Sequence, residues 1–257
     1  MRKMFFMLVF SIGMLPFFAN AQKQREYYEI TVYRCKYDQE KIVDGFLREA
    51  YLPGLHKKGI HRIGIFKPLA NDTAAEKQIY VVVPITTLQQ LISLPDQLLK
   101  DKDFLQHGKE YLEASYKNPP YTRMEKIVLE AFPLAPLMNL PQLKGPKQDR
   151  IFELRSYESS TEKLYHNKVK MFNEGGEISL FARLNFNSIF YAEVIAGCHM
   201  PNLMYMTSFE NIADRDAHWK TFGSDAEWKK ISSMPEYQNN VSKAEITLMH
   251  AAEYSDY

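Results

Sequence analysis

One succession of strand and helix patterns occurs twice in this chain, and this doubling limits the fold more than any other feature of the sequence. Residues 28–33 alternate polar and apolar side chains, and residues 152–157 repeat the alternation 124 positions later, as half-buried β-strands do. An amphipathic helical stretch follows each strand, with Asp38 as the expected N-cap of the first and Ser159 as that of the second. The sequence therefore predicts two similar units.

Each unit continues with two strands, a second helical region and a closing strand. In the first unit we predict strands at 60–67 and 78–85, helix within 87–115 with a break at Pro95, and a closing strand at 123–132. In the second unit we predict strands at 187–195 and 203–209, helices within 214–231 with a break at Gly223, and a closing strand at 243–251. The order β-α-β-β-α-β is ferredoxin-like. We therefore predict an α+β protein made of two tandem ferredoxin-like units.

Four prolines mark the junction between the two units. They are Pro133, Pro136, Pro141 and Pro146. Because proline is common in linkers and disfavours regular structure, we predict a linker over residues 133–149. The first unit then spans 22–132 and the second unit 150–257.

The N-terminal residues have the pattern of a secretory signal peptide. A basic start with Arg2 and Lys3 precedes an apolar stretch over residues 4–18, and Ala19-Asn20-Ala21 follows. Small residues in this arrangement are what signal peptidase cleaves after, and the apolar stretch is short for a membrane-spanning helix. We therefore predict cleavage after Ala21 and export of the rest to the periplasm or the medium, with no membrane association after cleavage.

The charge balance argues against partners that are recognised by bulk charge. The chain has 32 Lys and Arg against 31 Asp and Glu. Loss of Arg2 and Lys3 with the signal peptide leaves 30 against 31, a net charge of −1. Nucleic-acid binding is not expected of so neutral a protein.

The two cysteines, Cys35 and Cys198, are too few for a disulfide-rich fold or for a cysteine zinc site. An oxidising compartment would allow them to pair, but sequence does not give the distance between them. A disulfide and two free thiols both stay open. Cys198 and His199 are adjacent without a third or fourth ligand nearby in sequence, so no metal site is predicted.

Strand alternation separates two faces of the sheet. We assign Phe152 and Leu154 to the face covered by helices, which leaves Glu153, Arg155 and Tyr157 on the opposite face. That face would form a polar-lined interior between two packed sheets, with Glu153 and Arg155 paired because buried charge needs a partner. The two halves could pack on each other or on a second chain.

Three runs in the second unit have the order and spacing of one known family. They are Phe152-Glu153-Leu154-Arg155-Ser156-Tyr157, Met200-Pro201-Asn202-Leu203-Met204-Tyr205-Met206, and Arg215-Asp216-Ala217-His218-Trp219-Lys220-Thr221-Phe222 with Trp228-Lys229. Over residues 150–254 the chain resembles the NIPSNAP family. The first unit keeps Tyr28-Glu29-Ile30 but lacks the Pro-Asn-Leu-x-Tyr and Trp-x-x-Phe elements. The resemblance implies a dimeric α+β barrel and a bacterial exported tandem form whose activity is unassigned.

No sequence motif assigns a reaction. The chain has no G-x-S-x-G, phosphate-binding loop, H-E-x-x-H or C-x-x-C, so whether it is an enzyme stays open and no cofactor is expected. We favour binding of a small molecule between the sheets over catalysis. The candidate binding residues are Glu153, Arg155, Tyr157, Glu193, Asn202 and His250. The alternatives are a non-catalytic interaction or assembly module, a homodimer included, and a structural scaffold whose polar groups satisfy one another.

Overall fold

The computed structural model describes residues 24–257 and shows a closed barrel of eight strands with helices packed around it. The predicted signal peptide, residues 1–21, lies outside the described residues. The strands are β1 (Tyr27–Cys35), β2 (Gly64–Pro68), β3 (Lys77–Ile85), β4 (Arg123–Ala131), β5 (Ile151–Glu158), β6 (Asn187–Ala196), β7 (Asn202–Phe209) and β8 (Lys243–Ala251).

The helices lie outside the barrel, in the connections between strands. In the first half they are α1 (Tyr37–Phe46), a π-helical turn (Leu47–Tyr51), α2 (Leu52–Lys57), α3 (Leu88–Leu98), α4 (Lys102–His107) and α5 (Lys109–Leu112). In the second half they are α6 (Glu162–Asn173), α7 (Glu177–Arg183), α8 (Ile212–Ser224) and α9 (Ala226–Ser232). Short 3-10 turns occupy Asn71–Thr73, Lys147–Asp149 and Pro235–Tyr237.

Neighbouring strands are antiparallel and follow the order β1-β3-β2-β8-β5-β7-β6-β4 around the barrel. The first four strands are ordered β4-β1-β3-β2, and the last four repeat this as β8-β5-β7-β6. The halves meet at two seams, where Phe66 of β2 pairs with Ala251 of β8 and Glu130 of β4 pairs with Glu193 of β6. Both seams lie within one chain, so the barrel closes without a second subunit. The predicted α+β fold with barrel-type sheet packing is confirmed.

The barrel interior is apolar, so the assignment of the two strand faces from sequence is wrong. Phe152 and Leu154 lie inside the barrel, whereas Glu153 faces the helices and bonds to side chains of α8. In an open ferredoxin-like sheet, the face under the helices is the one most shielded from solvent. In this closed barrel solvent reaches the interior only at the ends, so the row with Phe152 and Leu154 points inward, while the rows that face the helices are partly apolar as well. The interior contains Tyr28, Ile30, Val32, Phe66, Val82, Leu129, Phe152, Leu154, Phe190, Met204, Met206 and Met249.

Several helix limits differ from the predicted ones because other residues occupy the N-cap positions. Helix α3 passes through Pro95 and ends at Leu98, and Asp101 then caps α4 by accepting from the backbone N–H of Asp103 and Phe104. Asp225 caps α9, so the break predicted at Gly223 falls two residues later. Thr161 caps α6 in place of Ser159, and α1 begins after Lys36, which replaces Asp38 as the N-cap.

The segment predicted as a linker, residues 133–149, packs against the barrel. Met138 is buried in the barrel core, and its N–H donates to Oε2 of Glu26 over 2.7 Å. The carbonyl of Pro136 accepts from the N–H of Glu26 at 2.8 Å. Tyr257 covers this end of the barrel, with its ring centroid 5.5 Å from that of Phe66. The segment is therefore part of the packed structure.

Both cysteine thiols are free. Cys35 is buried beneath the helices of the first half, and Cys198 is exposed in the loop between β6 and β7. Within residues 24–257, the helices are all too short or too polar for a membrane span.

Candidate functional site

Glu153 is the centre of a buried polar cluster between β5 and α8. Its side chain is 0% exposed. One carboxylate oxygen accepts from Nε of Arg155 at 2.5 Å, and the other accepts from Nε of Arg215 at 2.7 Å and from Nε1 of Trp219 at 2.9 Å. A buried carboxylate is costly unless it is paired and hydrogen-bonded, and here three donors occupy both oxygens. We call Glu153, Arg155, Arg215 and Trp219 the Glu153 cluster.

Two tyrosines extend the Glu153 cluster. The guanidinium carbon of Arg155 lies 3.6 Å from the ring centroid of Trp219, and Nη1 donates to the hydroxyl of Tyr157 at 3.0 Å. The hydroxyls of Tyr157 and Tyr205 are 3.0 Å apart. The hydrogen bond to Glu153 raises the pKa of Arg215, so this guanidinium stays charged. The predicted Glu153–Arg155 pair is present, and the cluster supports the fold through contacts among its own members.

A second buried ion pair, which sequence analysis did not single out, lies beside the Glu153 cluster. Nζ of Lys168 is 2.8 Å from Oε2 of Glu177, and both side chains are buried. The ammonium also lies 4.6 Å from the ring centroid of Phe172. Charge and aromatic contacts therefore compensate the burial of Lys168.

The other three predicted site residues lie apart from Glu153. Glu193 accepts from the hydroxyl of Tyr165 at 2.9 Å, near the β4–β6 seam. Asn202 is buried where β7 begins, and its Nδ2 donates to the hydroxyl of Ser156 at 2.8 Å. Nδ1 of His250 donates to the backbone carbonyl of Arg150 at 2.9 Å. The six predicted residues thus form no single site.

Asn202 lines a small polar cavity at one mouth of the barrel, with a volume of about 80 Å³. Cys198 and His199 are at its rim, and Arg34 and Glu125 form an ion pair of 3.1 Å beside it. This volume holds a few water molecules at most. Within residues 24–257 no group of three or more His, Cys, Asp or Glu side chains is placed to hold a metal ion.

A larger cavity, of about 240 Å³, lies outside the barrel in the first half. We call it the first-half cavity. Its floor is formed by β1 and β4 and its walls by α3, α4, α5 and the helical segment that ends at Tyr51. The lining residues are Glu29, Thr31, Tyr33, Phe46, Tyr51, Leu91, Leu94, Pro95, Leu98, Leu99, Phe104, Tyr111, Leu112, Met124 and Lys126. It opens to solvent beside Leu99 and Met124, whose side chains are exposed.

The first-half cavity and the Glu153 cluster occupy matching places in the two halves. Glu29 of β1 pairs with Val83 of β3, and Glu153 of β5 pairs with Thr207 of β7, each residue 124 positions after its counterpart. The caps of the covering helices keep this spacing. Thr87 caps α3 and Asn211 caps α8, and Asp101 and Asp225 cap the helices that follow. A buried carboxylate under a capped helix therefore occurs in both halves.

Three substitutions at these matching positions account for the cavity. Pro95 replaces Trp219, Leu91 replaces Arg215, and Thr31 replaces Arg155. Each change removes a long or flat side chain that fills space over the carboxylate in the second half. The sequence contains the signal for this difference, since the first unit lacks the Trp-x-x-Phe element, but the lost element by itself does not show that a cavity remains.

Glu29 provides a carboxylate at the floor of the cavity, with one oxygen free of protein donors from residues 24–257. The residue is 7% exposed. Its Oε1 accepts from Nζ of Lys126 at 2.7 Å and from the hydroxyl of Thr31 at 3.3 Å. In the part of the chain that the structure describes, no donor reaches Oε2. The other lining residues are mostly apolar and aromatic. Oε2 of Glu29 is therefore a hydrogen-bond acceptor in an otherwise apolar cavity.

Solved structures share the overall fold at low sequence identity. A candidate monooxygenase from Lactobacillus acidophilus NCFM is 10% identical, with a TM-score of 0.57 over 88% of this chain and 94% of that chain. Another candidate monooxygenase, from Fusobacterium nucleatum, is 8% identical, with a TM-score of 0.55 over 89% of this chain and 93% of that chain. At such identities the likeness establishes the fold only.

Sequence comparison identifies the second half more closely. No curated protein matches the chain. A NIPSNAP family protein from Agrobacterium tumefaciens is 21% identical and covers 41% of this chain and 96% of its own, with a TM-score of 0.37. The sequence model of the NIPSNAP family matches residues 152–256. Those residues are therefore a domain of the NIPSNAP family.

Proposed function

We propose that this chain is an exported protein that binds a small molecule in the first-half cavity. One observation carries the proposal: an apolar cavity of about 240 Å³ contains the largely buried carboxylate of Glu29, whose Oε2 accepts from no donor of residues 24–257 and is reachable from the cavity. Small-molecule sites are commonly concave and apolar with a few placed polar groups. The second half keeps the equivalent carboxylate but fills the space above it with its own side chains.

The proposal places the ligand outside the barrel, not between the sheets. Side chains such as Phe152 and Phe190 fill the barrel interior, and the cavity at its mouth measures only about 80 Å³. The carboxylate of Glu153, the first of the predicted binding residues, already accepts three hydrogen bonds. The first half therefore offers the better site.

The architecture behind the proposal is a pair of tandem ferredoxin-like units, over 22–132 and 150–257, with 133–149 between them. The equal strand order and the matching caps 124 residues apart support this division. In such an arrangement one unit can retain a packed, structural version of the site while the other opens to a ligand.

Binding without catalysis is the form of the proposal that the cavity supports. Tyr33, Tyr51 and Tyr111 line it, and burial raises the pKa of all three hydroxyls. They are therefore neutral donors at physiological pH and poor general bases. A hydroxyl that stays protonated can orient a ligand but does not take a proton from it.

The proposal is tested by filling the cavity. Pro95→Trp restores the side chain that the second half has at the matching position, and Ile92→Trp adds the same side chain on the solvent side of the same helix. Ligand-observed NMR with a library of small aromatic and aliphatic compounds should give binders for the natural protein and for Ile92→Trp, and none for Pro95→Trp. Binders that survive Pro95→Trp, in a protein with a native circular dichroism spectrum, would place the site elsewhere.

Export is tested separately by N-terminal sequencing. Full-length protein produced in a Gram-negative host should be recovered from the periplasm with Gln22 as its first residue, because cleavage is expected after Ala21. Recovery in the cytoplasm with Met1 retained would contradict this part of the proposal.

A further inference from the structure

We infer that the ligand of the first-half cavity is a neutral, flat heteroaromatic molecule with a ring N–H, of the indole class, which donates that N–H to Glu29. The inference rests on the proposed function and names the class of ligand for the same cavity. It follows from comparing two matching carboxylates, one covered by a side chain of this protein and one left uncovered.

The second half shows what covers such a carboxylate. Nε1 of Trp219 donates to Oε2 of Glu153 at 2.9 Å, and the indole ring packs against Phe181, Phe186 and Phe222 at centroid distances of 5.8, 5.0 and 5.5 Å. The second half therefore shows how this fold holds an indole: aromatic rings pack around it, and its N–H donates to a buried carboxylate.

The first half keeps the carboxylate and an aromatic lining but lacks the indole. Glu29 replaces Glu153 and Leu98 replaces Phe222, but Pro95 replaces Trp219. Aromatic side chains still border the space, with Phe46 stacked on Tyr111 at a centroid distance of 3.9 Å and Phe104 5.7 Å from Phe46. An indole-like molecule from solution would complete the arrangement that Trp219 completes in the second half.

The size of the cavity agrees with a molecule of two fused rings. A buried apolar cavity of about 150 Å³ accepts benzene, as an engineered cavity in another protein shows. The first-half cavity is larger, about 240 Å³. Its opening beside Leu99 and Met124 provides an entrance for such a ligand.

Charge favours a neutral donor over a cation. The ammonium of Lys126 lies 2.7 Å from Oε1 of Glu29 and already balances its negative charge. A second cation at this place would be repelled by Lys126, whereas a neutral N–H can use the vacant Oε2. A hydrogen bond to a charged acceptor is stronger than one between neutral groups. Glu29 can therefore favour a ligand with a ring N–H over one of the same shape without it.

Calorimetric titration of the purified protein with indole, benzofuran and tryptamine tests the inference. Benzofuran has the shape of indole without the N–H, and tryptamine adds a cation. We expect indole to bind at least about tenfold more tightly than benzofuran, the ratio that one charge-assisted hydrogen bond gives, and more tightly than tryptamine. Equal affinity for indole and benzofuran, or tighter binding of tryptamine, would overturn the inference.

Two variants connect the preference to Glu29. Glu29→Gln should weaken the affinity for indole about tenfold and leave the affinity for benzofuran unchanged. Glu125 lies at the barrel mouth, so Glu125→Gln should change neither affinity. An equal loss of affinity for indole in both variants would overturn the inference. If other compounds bind in a way that Pro95→Trp abolishes but indole does not bind, the ligand class is wrong and the proposed function stands. If no compound binds the cavity, both are wrong.

Discussion

Trp219 donates its indole N–H to the buried carboxylate of Glu153 over 2.9 Å, a contact for which the first half has no equivalent. The matching carboxylate, Glu29, lies under Pro95 and an open cavity. The same strand register and the same helix caps thus support a closed structural cluster in one half and a space for a ligand in the other.

Glu153→Gln should destabilise the protein strongly. The substitution leaves two guanidinium groups, those of Arg155 and Arg215, beside a neutral amide in a buried place. Breaking a buried pair by removing one partner costs about 3 kcal/mol. Glu29→Gln is the matched control and should cost only about 1 kcal/mol, because Lys126 can turn to solvent. Urea unfolding measures both values, and equal losses would contradict this description of the Glu153 cluster.

The buried pair of Lys168 and Glu177 should show strong coupling in a double-mutant cycle. Each single variant, Lys168→Met or Glu177→Leu, leaves an unpaired buried charge and should cost about 3 kcal/mol. The double variant should lose less than either, since apolar groups then replace both charges. Additive losses in chemical unfolding would show that the two side chains do not interact.

The two thiols should differ in reactivity. Burial, followed by the carboxylates of Glu40 and Asp44, raises the pKa of Cys35 to about 12, so its reactive thiolate is scarce at neutral pH. Cys198 is exposed. A maleimide reagent should therefore modify one thiol per native chain, at Cys198, and a second only after unfolding, as mass spectrometry of peptides would show. Resistance of both thiols would indicate a disulfide instead.

Stability should fall as the solution becomes alkaline. Burial raises the pKa of several tyrosines, among them Tyr28, Tyr33, Tyr51, Tyr191 and Tyr205. Above about pH 10 the unfolded chain releases these protons while the folded chain keeps them, so the free energy of unfolding decreases as pH rises. Below that pH the contribution is fully present. Tyrosinate absorbance should therefore appear together with the loss of structure, and gradual ionisation in a folded protein would contradict this.

The strands could be predicted from sequence because their pattern is local. Strand β8 has the predicted limits, 243–251, and β5 extends the predicted 152–157 by one residue at each end. The local pattern does not show which row of side chains points into the barrel and which faces the helices, because this depends on whether the sheet closes. Helix breaks were harder too, since neighbouring candidates such as Ser224 and Asp225 compete for one cap. Helix α7, which follows Gly176 at a φ of +89°, was not predicted.

The candidate site could not be predicted from sequence because it consists of missing side chains. Sequence patterns indicate residues that carry charge or chemistry, such as Glu153 and Arg155, and these two lie together. The first-half cavity has no conspicuous residue. Pro95 leaves the space that Trp219 fills in the second half. This is seen only in the structure, where Pro95 and Glu29 line the same cavity and the two halves have matching strand registers.

Binding of indole beside Glu29 can be observed in a crystal structure of the protein soaked with indole. We expect density for a flat ring between Pro95 and Phe104, with its nitrogen within about 3.2 Å of Oε2 of Glu29, and an unchanged Glu153 cluster in the second half. Density at the barrel mouth beside Asn202, or a first-half cavity that stays empty at saturating indole, would contradict it.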